Sequence, residues 1–475
     1  MYEDNPSQTE FDTMRLHFVG VGGIGMSALA AMALDRGHQV SGSDRGAERP
    51  ENARIIDALK FAGVTIYPQD GSFMRHEKIP DCLVYSTAIE EDNPDFAAGK
   101  NLPRMHRSEL LAKLLGELPS GCCSIAVTGS CGKSTATAYA AEALLNLGAD
   151  PCCLNGALVT RFSCEGQAGN YRPGSDFFVF ESDESDKSLL NYSADYAVIL
   201  NLGTDHYSRS ELVQVFGKFL RSIRRGAVLE QEVYREIAAE KMIPGHLDIR
   251  VFGDRSDCIT DMLTDYEVVD RRPVATFGDG TKIRLPQPGR HMALNALAVG
   301  ALLELLGFDR NKIPAALERF DGVWRRNDFA GKTPEGAAVY DDYAHNPEKI
   351  RANLQLMHEL AAGAVCAVFQ PHGYGPFGFM EDTLFRYLEC ELGGNDIFIL
   401  LEPYYAGGTT SFSPHAEEVC AKWRRNAVNP DRYICLPDRA AVKKFLRSRA
   451  ADGDIITVMG ARDNSLSEFA REITR

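Results

Sequence analysis

Runs of four to six apolar residues recur along the chain, at 15–19 (RLHFV), 82–86 (CLVYS), 124–128 (SIAVT), 177–181 (FFVFE), 196–200 (YAVIL), 364–369 (AVCAVF), 397–401 (IFILL) and 455–459 (IITVM). Many of them end in Gly, Asp or Ser. Between them lie stretches with apolar positions three and four apart, which predict amphipathic helices over 134–147, 292–306 and 347–361. A short, continuous apolar run is the signature of a strand buried on both faces. Such strands alternating with helices predict α/β domains with mostly parallel sheets.

Two breaks divide the pattern. Over 103–121 a charged helix runs into Leu118-Pro119-Ser120-Gly121, and a fresh strand follows. Near 320–332 a helix ends, an Arg pair appears in GVWRRNDFAGK, and another strand begins. The expected domains are 1–120, 121–322 and 323–475, in line with about three domains for a chain of 475 residues.

Charge and cysteine usage narrow the class. The 51 Lys and Arg against 66 Asp and Glu leave a net charge of −15, which argues against a general nucleic-acid binder. No run approaches the roughly 18 apolar residues of a membrane helix, and the acidic, polar start does not read as a signal peptide. The 12 cysteines lack C-x-x-C spacing and several sit in apolar runs, the pattern of reduced thiols in a cytoplasmic protein.

Several strand ends carry candidate chemistry. Gly20-Val21-Gly22-Gly23-Ile24-Gly25 follows the first strand and opens a helix. Glycines there let the backbone approach a diphosphate, which the helix N-terminus then faces. The next strand ends in Ser43-Asp44, 19 residues past Gly25, where a dinucleotide fold places its ribose-binding acid. The motif alone does not separate a dinucleotide from a nucleotide-sugar diphosphate. Thr128-Gly129-Ser130-Cys131-Gly132-Lys133-Ser134-Thr135 is a shortened phosphate loop, because position 127 is Val where the full form has Gly. Lys133 can still reach outer phosphates and the Ser134 hydroxyl can ligate magnesium. Glu181-Ser182-Asp183-Glu184-Ser185-Asp186 puts carboxylates at the carboxyl end of a buried strand, a place to hold Mg²⁺ beside ATP, with Glu181 closest to the strand. His206, past the strand at 196–200, is placed for a second cation or a phosphate. His291 and Asn295, four apart on one helix face, suit a purine. Asp342-Tyr343-Ala344-His345 and Phe369-Gln370-Pro371-His372 each close a strand.

In this order, HFVGVGGIGMSALA, the Gly-Ser-Asp strand end, YSTAIEEDNPDF, HRSELLAKLL, the shortened loop, FESDESD, GRHMALNALA, the Arg pair, DDYAHNP and FQPH resemble the Mur ligase family over nearly the whole chain. The resemblance implies an N-terminal Rossmann-like UDP-binding domain, a central P-loop ATPase-like domain and a C-terminal Rossmann-like domain. It implies ATP and Mg²⁺ as cofactors, and UDP-N-acetylmuramate and an amino acid, L-alanine first, as substrates joined through an acyl phosphate. Carried to matching positions, Gly129, Ser130, Cys131, Gly132, Lys133, Ser134, Thr135, His291, Asn295, Arg326 and Asp342 meet ATP. Ser134, Glu181 and His206 meet metal, and Lys133, Glu181 and His206 carry the chemistry. Gly22, Gly23, Ile24, Ser43, Asp44, Ser86, Arg107, Tyr343, His345 and His372 meet the other substrates. The expected setting is a cytoplasmic monomer or homodimer working without nucleic acid or membrane in peptidoglycan precursor synthesis.

The chain departs from the family pattern in its last third. The family follows FQPH with Arg and a Thr-Arg-Thr run; here the sequence is Gly373-Tyr374-Gly375-Pro376-Phe377. The near-terminal Gly-Ala-Gly is Gly460-Ala461-Arg462, so Arg462 is a candidate replacement for a lost cation. Amino-acid identity therefore stays open, as does a recycling ligase that attaches a preformed peptide. A non-catalytic nucleotide-sugar sensor is the reading of another class. A nicotinamide oxidoreductase leaves the Gly-Lys-Ser loop unexplained.

Overall fold

The computed structural model describes residues 13–49, 52–76, 78–184, 187–203, 207–254, 260–270, 272–404 and 412–475. The chain packs as two compact units. One comprises Met1–Asp265, Thr276–Ile283 and Ala293–Asp321; the other comprises Tyr266–Ala275, Arg284–Met292 and Gly322–Arg475.

The first sheet of the first unit has five parallel strands, β1 (Arg15–Val19), β2 (Gln39–Ser43), β3 (Thr65–Tyr67), β4 (Cys82–Tyr85) and β5 (Arg104–His106), in the order β3-β2-β1-β4-β5. Helices α1 (Ile24–Asp35), α2 (Ala53–Phe61), α3 (Pro94–Ala98) and α4 (Arg107–Gly116) connect them. Strand order reverses between β1 and β4, the point where open α/β sheets leave a crevice beyond their carboxyl ends. The turn after β1 starts at Gly20 with φ +77°, a left-handed conformation that favours glycine.

The second sheet has ten strands. In chain order they are β6 (Cys123–Thr128), β7 (Pro151–Leu154), β8 (Tyr171–Arg172), β9 (Phe177–Glu181), β10 (Ala194–Ile199), β11 (Ile223–Glu230), β12 (Asp248–Gly253), β13 (Asp261–Val269), β14 (Arg272–Phe277) and β15 (Lys282–Arg284). Their order in space is β15-β14-β13-β12-β11-β10-β6-β9-β7-β8. The central strands β6, β9 and β10 are parallel and nearly wholly apolar, as strands covered on both faces must be. Helix α5 (Lys133–Asn146) leaves β6 through the phosphate loop, and its Ala-rich body is buried from Ala136 to Leu144. Helices α6 (Arg209–Leu220), α7 (Gln231–Ala239), α8 (Arg290–Leu305) and α9 (Ile313–Leu317) follow.

The sheet of the second unit has six strands: β16 (Asp328–Lys332), β17 (Ala338–Asp342), β18 (Val365–Phe369), β19 (Ile397–Leu400), β20 (Tyr433–Cys435) and β21 (Ile455–Met459). The order is β16-β17-β21-β18-β19-β20, and only the edge strand β16 is antiparallel to its neighbour. Helices α10 (Pro347–Leu360), α11 (Tyr374–Glu391), α12 (Ala416–Asn426), α13 (Arg439–Arg449) and α14 (Ser465–Ile473) cover it. One apolar layer joins α10, α11 and α12 to one face, and another joins α13 and α14 to the other. Asn346 fixes the start of α10: its side chain accepts from Lys349 N at 2.9 Å, and Pro347 takes the first helical position.

Candidate active site

The phosphate loop is held from outside as well as by its glycines. Gly132, the residue before α5, has φ +84°, so a side chain there would strain the turn. Asn201, just past β10, accepts from Cys131 N at 2.9 Å and donates to Cys131 O at 2.9 Å. Ser130 Oγ accepts from Gly203 N at 2.7 Å. The loop between β6 and α5 thus leans on the loop after β10, and α5 opens there with its N-terminal N–H groups, the end of a helix that favours an anion.

Lys133 Nζ donates to Glu184 Oε2 at 2.7 Å and to Gly129 O at 3.0 Å, with Asp183 Oδ1 3.8 Å away. Burial works against its charge, but Glu184, Asp183 and Glu181 outweigh that and raise its pKa. Ser134 Oγ donates to Glu181 Oε2 at 2.7 Å, and Gly156 N donates to the same oxygen at 2.9 Å. A Cβ at Gly156 would lie 2.6 Å from that oxygen, so any other residue there would make the carboxylate shift. Burial raises the pKa of Glu181, which a cation would reverse. One hydroxyl and one carboxylate oxygen suit Mg²⁺, which keeps several waters and takes phosphate oxygens as further ligands. Among the described residues no group of three or more His, Cys, Asp or Glu is arranged to hold a metal by itself. His206, the expected second metal contact, lies outside the described residues, as do Ser185 and Asp186.

A cleft runs from the glycine turn of the first sheet to this carboxylate, lined by Gly25, Arg107, Asn155, Gly156, Glu181 and Asp183. Arg107, at the first position of α4, reaches Asp183 Oδ2 with Nη2 at 3.4 Å, and its Nη1 lies 3.2 Å from where a Gly25 Cβ would sit. Gly23 precedes α1, and Ile24 O accepts from Asn170 Nδ2 at 2.8 Å. Ser86 lies half-buried past β4.

Two expectations at this end take a different form. Ser43 is fully buried and its hydroxyl donates to buried Asp95, so the side chain braces β2 rather than facing the cleft. Asp44 accepts from Gly22 N at 2.9 Å and Gly46 N at 2.7 Å, so its carboxylate holds the glycine turn itself.

Asn295 comes to the phosphate loop, its Oδ1 being 3.5 Å from a Cβ built on Gly132. His291, on the same helix, is exposed. In the second unit the Arg pair divides its work. Arg325 is 1% exposed, with φ +57°, and its guanidinium donates to Asp341 and to the carbonyls of Gly460, Ala461 and Asp463. Arg326 is half-buried and lies over the Tyr343 ring at 5.4 Å. Asp342, expected at the nucleotide, instead accepts from Asn327 N and Ala344 N, each at 2.8 Å, and is buried. Both its oxygens shape the turn that presents Tyr343 and His345. The rings of His345 and His372 stand edge to face at 5.2 Å.

Sequence reasoning placed Glu184 in the acidic cluster without foreseeing its bond to Lys133, and gave Asn155, Gly156 and Asn201 no role at the site. Asn155-Gly156, a turn pair just past an apolar run, was the one local signal for that corner.

Three family models match the chain: "Mur ligase family, catalytic domain" over residues 15–117, "Mur ligase middle domain" over 127–303, and "Mur ligase, glutamate ligase domain" over 325–462. The UDP-N-acetylmuramate–L-alanine ligase of Symbiobacterium thermophilum is 32% identical, covering 94% of this chain and 92% of the relative. That of Clavibacter michiganensis subsp. michiganensis is 34% identical, with 94% and 91% covered. Among solved structures, the UDP-N-acetylmuramate–alanine ligase of Thermotoga maritima is similar with TM-score 0.76 at 26% identity, covering 97% of this chain and 98% of that one. A murein peptide ligase from Psychrobacter arcticus shares the fold at TM-score 0.62 and 21% identity, with 97% and 98% covered.

Proposed function

Since the chain belongs to the Mur ligase family, we propose that it is an ATP-dependent ligase joining L-alanine to the carboxylate of UDP-N-acetylmuramate. The observation that carries this reading is the Ser134–Glu181 contact of 2.7 Å beside Lys133, at the start of α5. A hydroxyl and a carboxylate able to take a cation, beside an ammonium able to take a phosphate, at one helix N-terminus support it.

In this reading the γ-phosphoryl group of ATP passes to the sugar carboxylate, giving ADP and an acyl phosphate. The amine of the amino acid then attacks the acyl carbon, and inorganic phosphate leaves as the amide forms. The protein's work is positioning and charge neutralisation. The N–H groups opening α5 and the remaining donor of Lys133 hold the outer phosphates. Glu181 and Ser134 would hold Mg²⁺, which supplies charge neutralisation on the phosphates when bound; His206 is assigned to a second cation. The glycine turn and Arg107 bind the sugar nucleotide, Asn295 and Arg326 serve ATP, and His345 and His372 serve the second unit's other substrate. We assign the reaction to the cytoplasm, as a step of peptidoglycan precursor synthesis by a monomer or homodimer. None of the cysteines described forms a disulfide, and no described helix is long and apolar enough to cross a membrane.

The test mixes purified protein with UDP-N-acetylmuramate, Mg-ATP and either single amino acids or a tripeptide, and measures phosphate release. Release with L-alanine is expected. Release with a tripeptide alone would move the reading to recycling, and no release with any acceptor would sink it.

A further inference from the structure

Three neighbouring parallel strands, β17, β21 and β18, end side by side, and each is followed by a basic side chain: His345, Arg462 and His372. Ligands of open α/β sheets bind outside such strand ends. His345 Nδ1 lies 2.9 Å from Tyr343 O, which fixes Nδ1 as the donor and leaves Nε2 as an acceptor in the neutral ring. His372 Nδ1 is buried without a hydrogen-bond partner. Burial, then the charges of Lys349, Arg326 and Arg462, lower the pKa of His345 despite the Tyr343 carbonyl. Burial, His345 and Arg462 push that of His372 down to about 4.

The carboxylates at these strand ends are already engaged. Asp463 takes Arg439 and Ser465. Asp341 takes Arg325 and Ser467. Asp342 takes two backbone N–H groups. Glu402, beyond β19, takes His415 and Tyr374. Arg462 is exposed and has no ion pair among the described residues, and neither do Arg326 and Lys349. Past His372, Gly373 and the first turn of α11, Tyr374 to Phe377, carry no cation. Three strand ends that each carry a basic group, with the neighbouring acids otherwise occupied, favour an anion there.

We propose that Arg462 anchors the α-carboxylate of the incoming amino acid, with His345 and His372 beside it. This rests on the ligase reading above and sharpens it. A guanidinium fits a carboxylate with two parallel N–H bonds. An anchor for the carboxylate next to the reacting amine selects a single amino acid over a peptide, whose free carboxylate lies far from its amine.

The experiment compares L-alanine with L-alaninamide as acceptor for full-length wild type, Arg462→Gly and Arg462→Lys, with UDP-N-acetylmuramate and Mg-ATP. Wild type should prefer alanine. Arg462→Gly should raise the KM for alanine roughly 10- to 100-fold and erase the preference over the amide, with the KM for ATP unchanged. Arg462→Lys should restore part of both. Arg462 is exposed, so the fold tolerates the change. An unchanged alanine KM and an unchanged acid-to-amide preference in an active Arg462→Gly variant overturn the proposal. If wild type turns over no acceptor, the ligase reading fails, and the anchor is judged by the His345 and His372 ring signals in NMR on adding L-alanine. Shifts in wild type that vanish in Arg462→Gly uphold it; no shift overturns it.

Discussion

Lys133 Nζ is held by Glu184 Oε2 at 2.7 Å, and Glu184 is 3% exposed. Two of the ammonium's three donors are therefore committed to protein oxygens, Glu184 and Gly129 O, and one can reach a phosphate. Lys133→Ala is expected to abolish phosphate release. It also strands a buried carboxylate, so it should cost about 3 kcal/mol of stability. Lys133→Met with Glu184→Leu should recover part of that stability and none of the activity. Phosphate release and thermal melting check both halves.

The Glu181 corner depends on an absent side chain. Gly156→Ala places a methyl 2.6 Å from Glu181 Oε2 and must push the carboxylate off Ser134. Turnover should fall by roughly 100-fold, with a raised Mg²⁺ requirement. Gly116→Ala, where a Cβ meets nothing within 4 Å, should leave both unchanged. Phosphate release against MgCl₂ concentration reads the difference.

Glu142 is wholly buried in α5, accepts from Asp321 N at 2.9 Å, and has its pKa pushed up to about 8 by burial. The ordinary value for the unfolded chain is 4.5. The folded state therefore prefers the neutral acid. Its contribution is fully present below pH 4.5 and is lost as pH rises through about 8. Glu142→Gln keeps the acceptor and removes the titration. Melting from pH 5 to pH 9 should show the variant gaining on wild type with rising pH, by up to about 4 kcal/mol.

The two arginines of the pair should separate cleanly. Arg325→Ala removes a buried guanidinium from Asp341 and three carbonyls and should cost about 3–5 kcal/mol. Arg326→Ala should change stability by less than about 0.5 kcal/mol while raising the KM for ATP. Melting curves and initial rates, measured on the same preparations, test the contrast.

The strands were legible because burial on both faces writes them as unbroken apolar runs: those at 15–19, 177–181 and 455–459 coincide with β1, β9 and β21. The phosphate loop and Glu181 were legible because strand-to-helix turns bring their own glycines and polar residues. What was not legible depends on register between distant strands. Glu181 meets Gly156 because β7 lies beside β9 with Leu154 opposite Phe180. Ser43 turns inward because Asp95, from another helix, waits there. Likewise Glu184, rather than its neighbour Asp183, takes the short bond to Lys133, a choice made by the backbone after β9 that composition does not reveal.

The central position of β21 has a consequence for biogenesis. Asp341 of β17 pairs with Val458, and Ala367 of β18 pairs with Thr457, so β21 separates two strands made long before it. While the ribosome is still producing the residues between, β17 and β18 have no correct partner for these edges. Each is an apolar strand with open hydrogen-bonding groups, the kind of surface that aggregates. This sheet therefore cannot close until β21, the last of its strands in the chain, has been made, and until then cover from α10 and α11 is what shields the apolar face of β17 and β18.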